Sequence, residues 1–149
     1  MEHTQQHKPN QPRLVAWEIT RRCNLSCVHC RASSDKGPYP GELNHRQALE
    51  ILDQITLVGS PIIILSGGEP LLREGIFDIA RYGTDKGLRM VMATNGTLVT
   101  PEIARNIKAS GIKRVSISLD GATAGEHDQF RQVKGAFEGS LKGIDIPVS

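Results

Sequence analysis

The stretch Cys23-Asn24-Leu25-Ser26-Cys27-Val28-His29-Cys30 contains all three cysteines of the 149-residue chain, spaced as C-x3-C-x2-C. Three thiols cannot all pair with one another, so this segment argues against a disulfide framework. Soft thiolates gathered this closely are typical of a soft metal centre. The stretch therefore predicts a metal site at this position of the chain.

The number of cysteines narrows the kind of metal centre. Zinc and iron–sulfur clusters normally take four protein ligands, and this chain supplies three thiolates. A [4Fe-4S] cluster bound by three cysteines leaves one iron open to a small molecule. From the residues alone, two alternatives stay open: a structural zinc site completed by His29 or His45, and an electron-transfer cluster in a non-catalytic module.

Composition excludes several classes of partner. The formal net charge is +2, from 18 basic and 16 acidic side chains, which gives no electrostatic case for nucleic acid or an acidic membrane. No apolar run approaches the roughly 18 residues that a membrane span needs. Residues 1–6 lack the basic and apolar regions of a signal peptide. We therefore expect a cytoplasmic protein whose thiols stay reduced.

Hydrophobic patterning predicts strands that alternate with helices. Residues 1–12 are polar and without periodicity, which predicts a flexible arm. Apolar and β-branched runs predict strands over residues 14–20, 61–65, 88–93 and 115–119, and the start of another over 146–149. Helical spacing predicts helices over residues 45–58, 76–86, 101–110 and 123–144, the last broken near Gly135.

This order predicts an α/β domain with a parallel sheet over residues 13–149. A spacing of about 26 residues between successive strands is what βα units with right-handed crossovers require. Ligands of such sheets bind at the C-terminal ends of the strands. Four predicted strand ends carry turn-forming or polar motifs: the cysteine stretch, Ser66-Gly67-Gly68-Glu69-Pro70, Thr94-Asn95-Gly96 and Ser118-Leu119-Asp120-Gly121.

Together these motifs closely resemble the radical S-adenosylmethionine (radical SAM) superfamily. Its members carry C-x3-C-x2-C after the first strand of an incomplete parallel (β/α)6 barrel, and the resemblance covers about residues 15–137. The residue before the last cysteine, often aromatic in the superfamily, is His29. The cysteine stretch and His127-Asp128-Gln129-Phe130-Arg131 resemble the branch that contains haem and haem d1 biosynthesis enzymes and peptide maturases.

The resemblance implies a role for each cysteine. Cys23, Cys27 and Cys30 would ligate three irons of a [4Fe-4S] cluster, and the fourth iron would chelate S-adenosylmethionine. A flavodoxin- or ferredoxin-type protein would donate one electron, and cleavage of the cofactor would give a 5′-deoxyadenosyl radical. That radical would abstract hydrogen from a substrate, a tetrapyrrole or a peptide in the suggested branch.

The resemblance also implies a binding site for S-adenosylmethionine. The turn Gly67-Gly68-Glu69 would accept its ammonium group, since glycines allow close backbone approach and a carboxylate with carbonyls suits the donors of a cation. Ser118 and Asp120 would contact the ribose or the methionine carboxylate, Asn95 would lie beside the same ligand, and Arg131 would pair with the carboxylate. The simpler interpretations are tight turns, a solvated carboxylate, strand-end caps and a surface salt bridge.

The resemblance is to the N-terminal part of the family's core domain. About four βα units are predicted, fewer than the family's barrel contains, and no cysteine follows Cys30 to bind an auxiliary cluster. His127-Asp128 suggests a catalytic pair or, equally, two positions on a helix surface. We therefore expect a truncated core that binds the cluster and the cofactor. Turnover of substrate by this short chain alone is a separate question.

Overall fold

The structure, a computed structural model, describes residues 10–146. Within these residues, four parallel strands form a single sheet in the order β1-β2-β3-β4. The strands are β1 (Leu14–Thr20), β2 (Ile62–Gly67), β3 (Arg89–Thr94) and β4 (Val115–Ile117). A strand order that follows the chain is typical of a (β/α) barrel rather than of a doubly wound sheet. The predicted α/β fold with a partial barrel is confirmed.

Helices connect the strands, as the spacing predicts. Asn44 begins the first of them with a capping box, in which its side chain and that of Gln47 each accept a backbone N–H bond of 2.9 Å. A 3-10 turn over Pro70–Leu72 was not predicted. The helices of the described part are α1 (His45–Val58), α2 (Ile76–Asp85), α3 (Pro101–Ala109), α4 (Ala124–Arg131) and α5 (Ala136–Asp145).

The predicted break in the last helix lies between α4 and α5. Gly135 there has a φ of 86°, a left-handed conformation that glycine adopts without steric cost. The β4 strand ends at Ile117, two residues before the predicted end. This difference is small because local pattern predicts the existence of an element better than its boundary.

One face of the sheet packs against the helices. Ile63 and Leu65 of β2 and Met90 of β3 are fully buried, and they meet Leu52 of α1 and Ile79 of α2 in the core. Alternate residues of a strand point to opposite faces, which is why the buried positions recur every second residue. Burial of each such side chain contributes about 1.5–3 kcal/mol.

Towards the C-terminal ends of the strands, the other face of the sheet carries short or polar side chains. Glu18 of β1 pairs in register with Ser66 of β2, and Ala93 of β3 pairs with Ser116 of β4. None of these four residues is buried. This face leads to the C-terminal ends of the strands, where the predicted motifs lie.

Some predicted segments fall outside the described residues. Only residues 10–12 of the predicted arm and Ile146 of the predicted further strand are described, so both stay predictions, as does the domain boundary at residue 13. None of the helices between residues 10 and 146 is long and apolar enough to cross a membrane.

Candidate functional site

A cavity of about 280 Å³ lies at the C-terminal edge of the sheet. Residues from all four strand ends line it, so the structure brings most of the predicted site together. The predicted residues in its wall are Cys23, Cys27, Cys30, Gly67, Gly68, Asn95, Ser118 and Arg131. Glu69 and Asp120 are not in the wall and act on it through other residues, as described below.

Backbone amides donate to two of the cysteine sulfurs. The Leu25 amide donates to Sγ of Cys23 over 3.4 Å, and the Ser34 amide donates to Sγ of Cys30 over 3.3 Å. Burial raises the pKa of the Cys23 thiol, although the hydrogen bond from the Leu25 amide acts to lower it. Burial also acts to raise the pKa of the Cys30 thiol. Hydrogen bonds from residues 32–34 outweigh that effect, so the pKa of this thiol is lowered. Amide donors of this kind suit sulfur that carries negative charge.

The C-terminal end of α4 is hydrogen-bonded to the cysteine loop, residues 23–30. The Val28 amide donates to the Phe130 carbonyl over 3.0 Å, and the Ser26 amide donates to the Arg131 carbonyl over 3.2 Å. The ring of His29 stacks on that of Phe130, with centroids 4.2 Å apart. Phe130 is not among the predicted site residues, although its place in the motif at residues 127–131 is a signal for it.

Arg131 lies between the cysteine loop and Asp120. Its Nη1 donates to Sγ of Cys27 over 3.4 Å, and its Nη2 pairs with the Asp120 carboxylate. Arg131 is 8% exposed, which excludes the surface salt bridge considered from the sequence. Its Nε is buried and has no hydrogen-bond partner within residues 10–146, although other atoms of the residue line the cavity.

His127 and Asp128 do not form a pair. The Nδ1 of buried His127 accepts a 3.2 Å bond from the Asp120 amide, which fixes the loop after β4. The Asp128 carboxylate instead accepts the amides of Gly135 and Phe137, over 2.7 and 2.8 Å, at the start of α5. These amide bonds lower the pKa of Asp128. Both residues therefore position backbone.

The Glu69 carboxylate is fully buried, so the interpretation as a solvated group is wrong. It accepts bonds from the Thr94 hydroxyl (2.7 Å), the Asn95 amide (2.8 Å) and the Leu71 amide (3.1 Å). Burial raises its pKa, and these donors oppose that rise. The carboxylate thus joins two strand ends, while the backbone of Gly67 and Gly68 faces the cavity.

Two glycines allow this turn to lie against the end of β1. The Gly68 amide donates to the Thr20 carbonyl over 2.7 Å. A Cβ at Gly68 would lie 2.3 Å from the Arg22 carbonyl oxygen, and Gly67 has a φ of 127°. Neither position accommodates a side chain without movement of backbone.

Asn95 connects the same region to the cysteine loop. Its Nδ2 donates to Oδ1 of Asn24 over 2.9 Å, and Nδ2 of Asn24 donates to the Thr97 hydroxyl over 2.8 Å. Asn24 is not among the predicted site residues. Its position beside Cys23 carries no pattern that would predict a contact more than 70 residues away, since the two asparagines are separated by 71 positions.

The residues fit a cluster better than a single zinc ion. Three sulfurs face one cavity, and amide and guanidinium donors reach each of them, as is usual around iron–sulfur clusters. His45, a candidate fourth zinc ligand, lies beside Gly75 and lines another cavity. His29 stacks on Phe130. Across residues 10–146, no three His, Cys, Asp or Glu side chains are grouped to hold one metal ion.

Comparison with known families gives the same assignment. The family model of the radical SAM superfamily matches residues 17–146. The chain belongs to the radical SAM superfamily. The resemblance stated from the motifs is confirmed, and it identifies the chain as related to enzymes.

Curated relatives of this radical SAM chain fall into the suggested branches. An AdoMet-dependent heme synthase of Methanosarcina barkeri is 56% identical over 92% of this chain and 39% of its own length. A pre-heme d1 synthase of Dinoroseobacter shibae is 40% identical over 94% of this chain and 36% of its own. A mycofactocin maturase of Mycobacterium ulcerans is 36% identical over 94% of this chain and 37% of its own length. The chain thus spans less than two-fifths of these relatives' length.

Solved structures of other proteins share the fold. Streptococcus suis SuiB bound to S-adenosylmethionine superposes with a TM-score of 0.73 at 16% identity, over 89% of this chain and 30% of that one. BtrN in complex with AdoMet and 2-DOIA superposes with a TM-score of 0.62 at 22% identity, over 79% of this chain and 51% of that one. At these identities the likeness shows the fold alone.

Proposed function

We propose that this chain binds a [4Fe-4S] cluster through Cys23, Cys27 and Cys30 and binds S-adenosylmethionine on the adjoining strand ends. The observation that carries the proposal is one cavity of about 280 Å³ lined by all three thiols and by the turns that follow β2, β3 and β4. When bound, the cluster and the cofactor supply one-electron cleavage of a sulfonium to a radical that abstracts hydrogen from substrate.

The protein's own contribution is to orient the cofactor and to exclude water from the site. The carbonyls of the Gly67-Gly68 turn are available to accept an ammonium group, since the close packing of this turn against β1 brings backbone to the cavity wall. Arg131 lines the cavity and carries a positive charge that suits a carboxylate, and Ser118 and Asn95 offer polar groups to the remainder of the cofactor. Glu69 and Asp120 contribute by holding Asn95 and Arg131 in place.

The reaction proposed for the longer protein is a step on a tetrapyrrole. Support comes from identity: 56% to an AdoMet-dependent heme synthase against 36% to a mycofactocin maturase. A peptide substrate is the second candidate within the same superfamily. The electron would come from a flavodoxin- or ferredoxin-type donor, because the cluster must be reduced from outside before it can cleave the cofactor.

Anaerobic reconstitution with iron and sulfide tests the proposal. We expect about four irons and four sulfides per chain, and a reduced electron paramagnetic resonance signal that shifts when S-adenosylmethionine is added. A cluster signal that ignores the cofactor would restrict the function to cluster binding. One zinc and no sulfide would instead establish the metal-binding module and overturn the proposal.

A further inference from the structure

The guanidinium of Arg131 lies between a predicted cluster ligand and a carboxylate. Nη1 is 3.4 Å from Sγ of Cys27, and Nη2 pairs with Asp120. The side chains of Arg131 and Asp120 are 10% and 29% exposed. The guanidinium is therefore largely shielded from the solvent ions that weaken pairs at a surface, and the carboxylate is shielded in part.

The surrounding elements fix this pair in one arrangement. The Asp120 amide donates to Nδ1 of His127, which is fully buried on α4, and Arg131 ends the same helix. The Arg131 carbonyl accepts the Ser26 amide, so the backbone that carries the guanidinium is bonded to the cysteine loop. The loop, the arginine and the carboxylate thus form one connected unit.

Charge near a cluster changes its reduction potential. Reduction by one electron, supplied by an added reductant, makes the cluster and its thiolates more negative. A cation or hydrogen-bond donor at a ligand sulfur favours the reduced form and raises the potential. A carboxylate beside that cation opposes the effect, because it cancels part of the positive charge.

We propose that Arg131 and Asp120 set the reduction potential of the cluster through Cys27, with opposite signs. Arg131 raises the potential through its contact with Sγ of Cys27. Asp120 is a positioning residue that orients the guanidinium and limits its effect. The inference rests on the proposed cluster and adds a redox role for two residues assigned so far only to cofactor binding.

Shifts of the reduction potential in opposite directions, in variants of Arg131 and Asp120, separate this redox role from a structural role. Arg131→Met removes the cation and should lower the potential, whereas Asp120→Asn keeps the side-chain shape, removes the anion and should raise it. Each change should alter the ratio of reduced to oxidised cluster at fixed potential about tenfold, which is about 59 mV for one electron. Arg131→Lys keeps the charge and should stay closer to the wild type than Arg131→Met.

The pair Asp78–Arg81 on α2 offers a matched control. It joins the same residue types over 3.5 Å, but its side chains are 69% and 50% exposed and neither lines the cysteine cavity. Arg81→Met and Asp78→Asn change the net charge by the same amounts as the two test variants. Both should leave the potential unchanged, because solvent screens them.

The experiment is an anaerobic redox titration of the reconstituted full chain without S-adenosylmethionine, followed by the electron paramagnetic resonance signal of the reduced cluster. Shifts of opposite sign for Arg131→Met and Asp120→Asn, absent from the α2 controls, support the inference. A cluster whose potential is unchanged, or moves in one direction in both variants, overturns it and leaves the proposed function standing.

Loss of the cluster has a defined meaning in each case. If Arg131→Met assembles no cluster, Asp120→Asn decides, and an unchanged or lowered potential overturns the inference. If the wild-type chain assembles no cluster, the proposed function fails, and the redox role fails with it.

Discussion

Oγ1 of Thr94 donates a 2.7 Å hydrogen bond to Oε1 of Glu69, and this bond joins the end of β3 to the turn after β2 inside the protein. The other carboxylate oxygen accepts the Asn95 amide over 2.8 Å. Two turns that line the cavity are therefore held by one buried side chain. Because that side chain titrates, the stability of the site depends on pH.

Burial raises the pKa of Glu69 above its ordinary value of 4.5, so the carboxyl destabilises the fold when it ionises. Below pH 4.5 the group is protonated in both the folded and the unfolded chain. As the pH rises from there through the folded pKa, the unfolded chain releases its proton more readily, and stability falls. We expect the wild type to lose stability relative to Glu69→Gln over this window.

Urea unfolding of both proteins between about pH 4 and pH 8 measures this difference. Glu69→Gln lacks the titrating group, so the difference between the two free energies of unfolding isolates Glu69. Circular dichroism at each pH verifies that both chains start folded. Parallel curves over the whole range would show that the carboxyl has the same pKa in both states.

The strand-end motifs could be predicted from the sequence, but their contacts could not. Alternating and helical hydrophobic spacing are local signals, so the four parallel strands and the cavity edge follow from short windows. The bond from Arg131 to Cys27 spans 104 positions and that from Asn24 to Thr97 spans 73. Such contacts depend on which side chain fills a gap after packing, and residue spacing carries no record of that.

Glu69 illustrates the same limit at one residue. Its place in Gly67-Gly68-Glu69 predicts a ligand-binding turn, and the charge of its side chain suggests a solvated group. In the fold, the turn packs so closely against β1 that the Glu69 amide donates to the Arg22 carbonyl over 2.7 Å, and the carboxylate lies inside the protein. The backbone and the side chain of this residue therefore have different functions.

Gly68→Ala should destabilise the chain by about 1–3 kcal/mol, the usual cost of inserting a methyl group into filled space. The added Cβ would lie 2.3 Å from a backbone carbonyl oxygen, which cannot rotate away as a side chain can. Urea unfolding gives the stability, and calorimetric titration should show weaker binding of S-adenosylmethionine to the reconstituted protein.

Gly125→Ala is the matched control for that substitution. Gly125 is exposed on α4, and no heavy atom lies within 4 Å of an added Cβ. Alanine in a helix is more favourable than glycine by about 0.5–1 kcal/mol, so this variant should gain stability. If the two variants unfold at the same urea concentration, the close packing of Gly68 has no energetic consequence.

Cys27→Ala should abolish cluster assembly. Two thiolates would remain, and the guanidinium of Arg131 would lose the sulfur to which it donates. Iron and sulfide after anaerobic reconstitution should fall from about four of each per chain to below about one. Val28→Ala, in the same loop with a side chain 63% exposed, should retain the full cluster. Retention of four irons by Cys27→Ala would remove Cys27 from the ligand set.

Asn24 and Asn95 should be energetically coupled, because each satisfies a polar group of the other. Asn24→Ala leaves Nδ2 of Asn95 without its acceptor, at a cost of about 1–3 kcal/mol, and removes the donor to the Thr97 hydroxyl, which keeps its own bond to Oδ1 of Asn95. Asn95→Ala breaks the same bond from the other side. The double variant should therefore lose less stability than the sum of the two, by about 0.5–3 kcal/mol.

A double-mutant cycle by urea unfolding measures that coupling. Asn24→Ala combined with Glu50→Ala, an exposed change on α1, should be additive within about 0.5 kcal/mol, since the two side chains share no partner. If Asn24 and Asn95 are equally additive, the hydrogen bond between the cysteine loop and the β3 turn contributes nothing to stability. A coupling of the expected size would mean that the cysteine loop and the turn after β3 are joined within the protein itself, without any bound ligand.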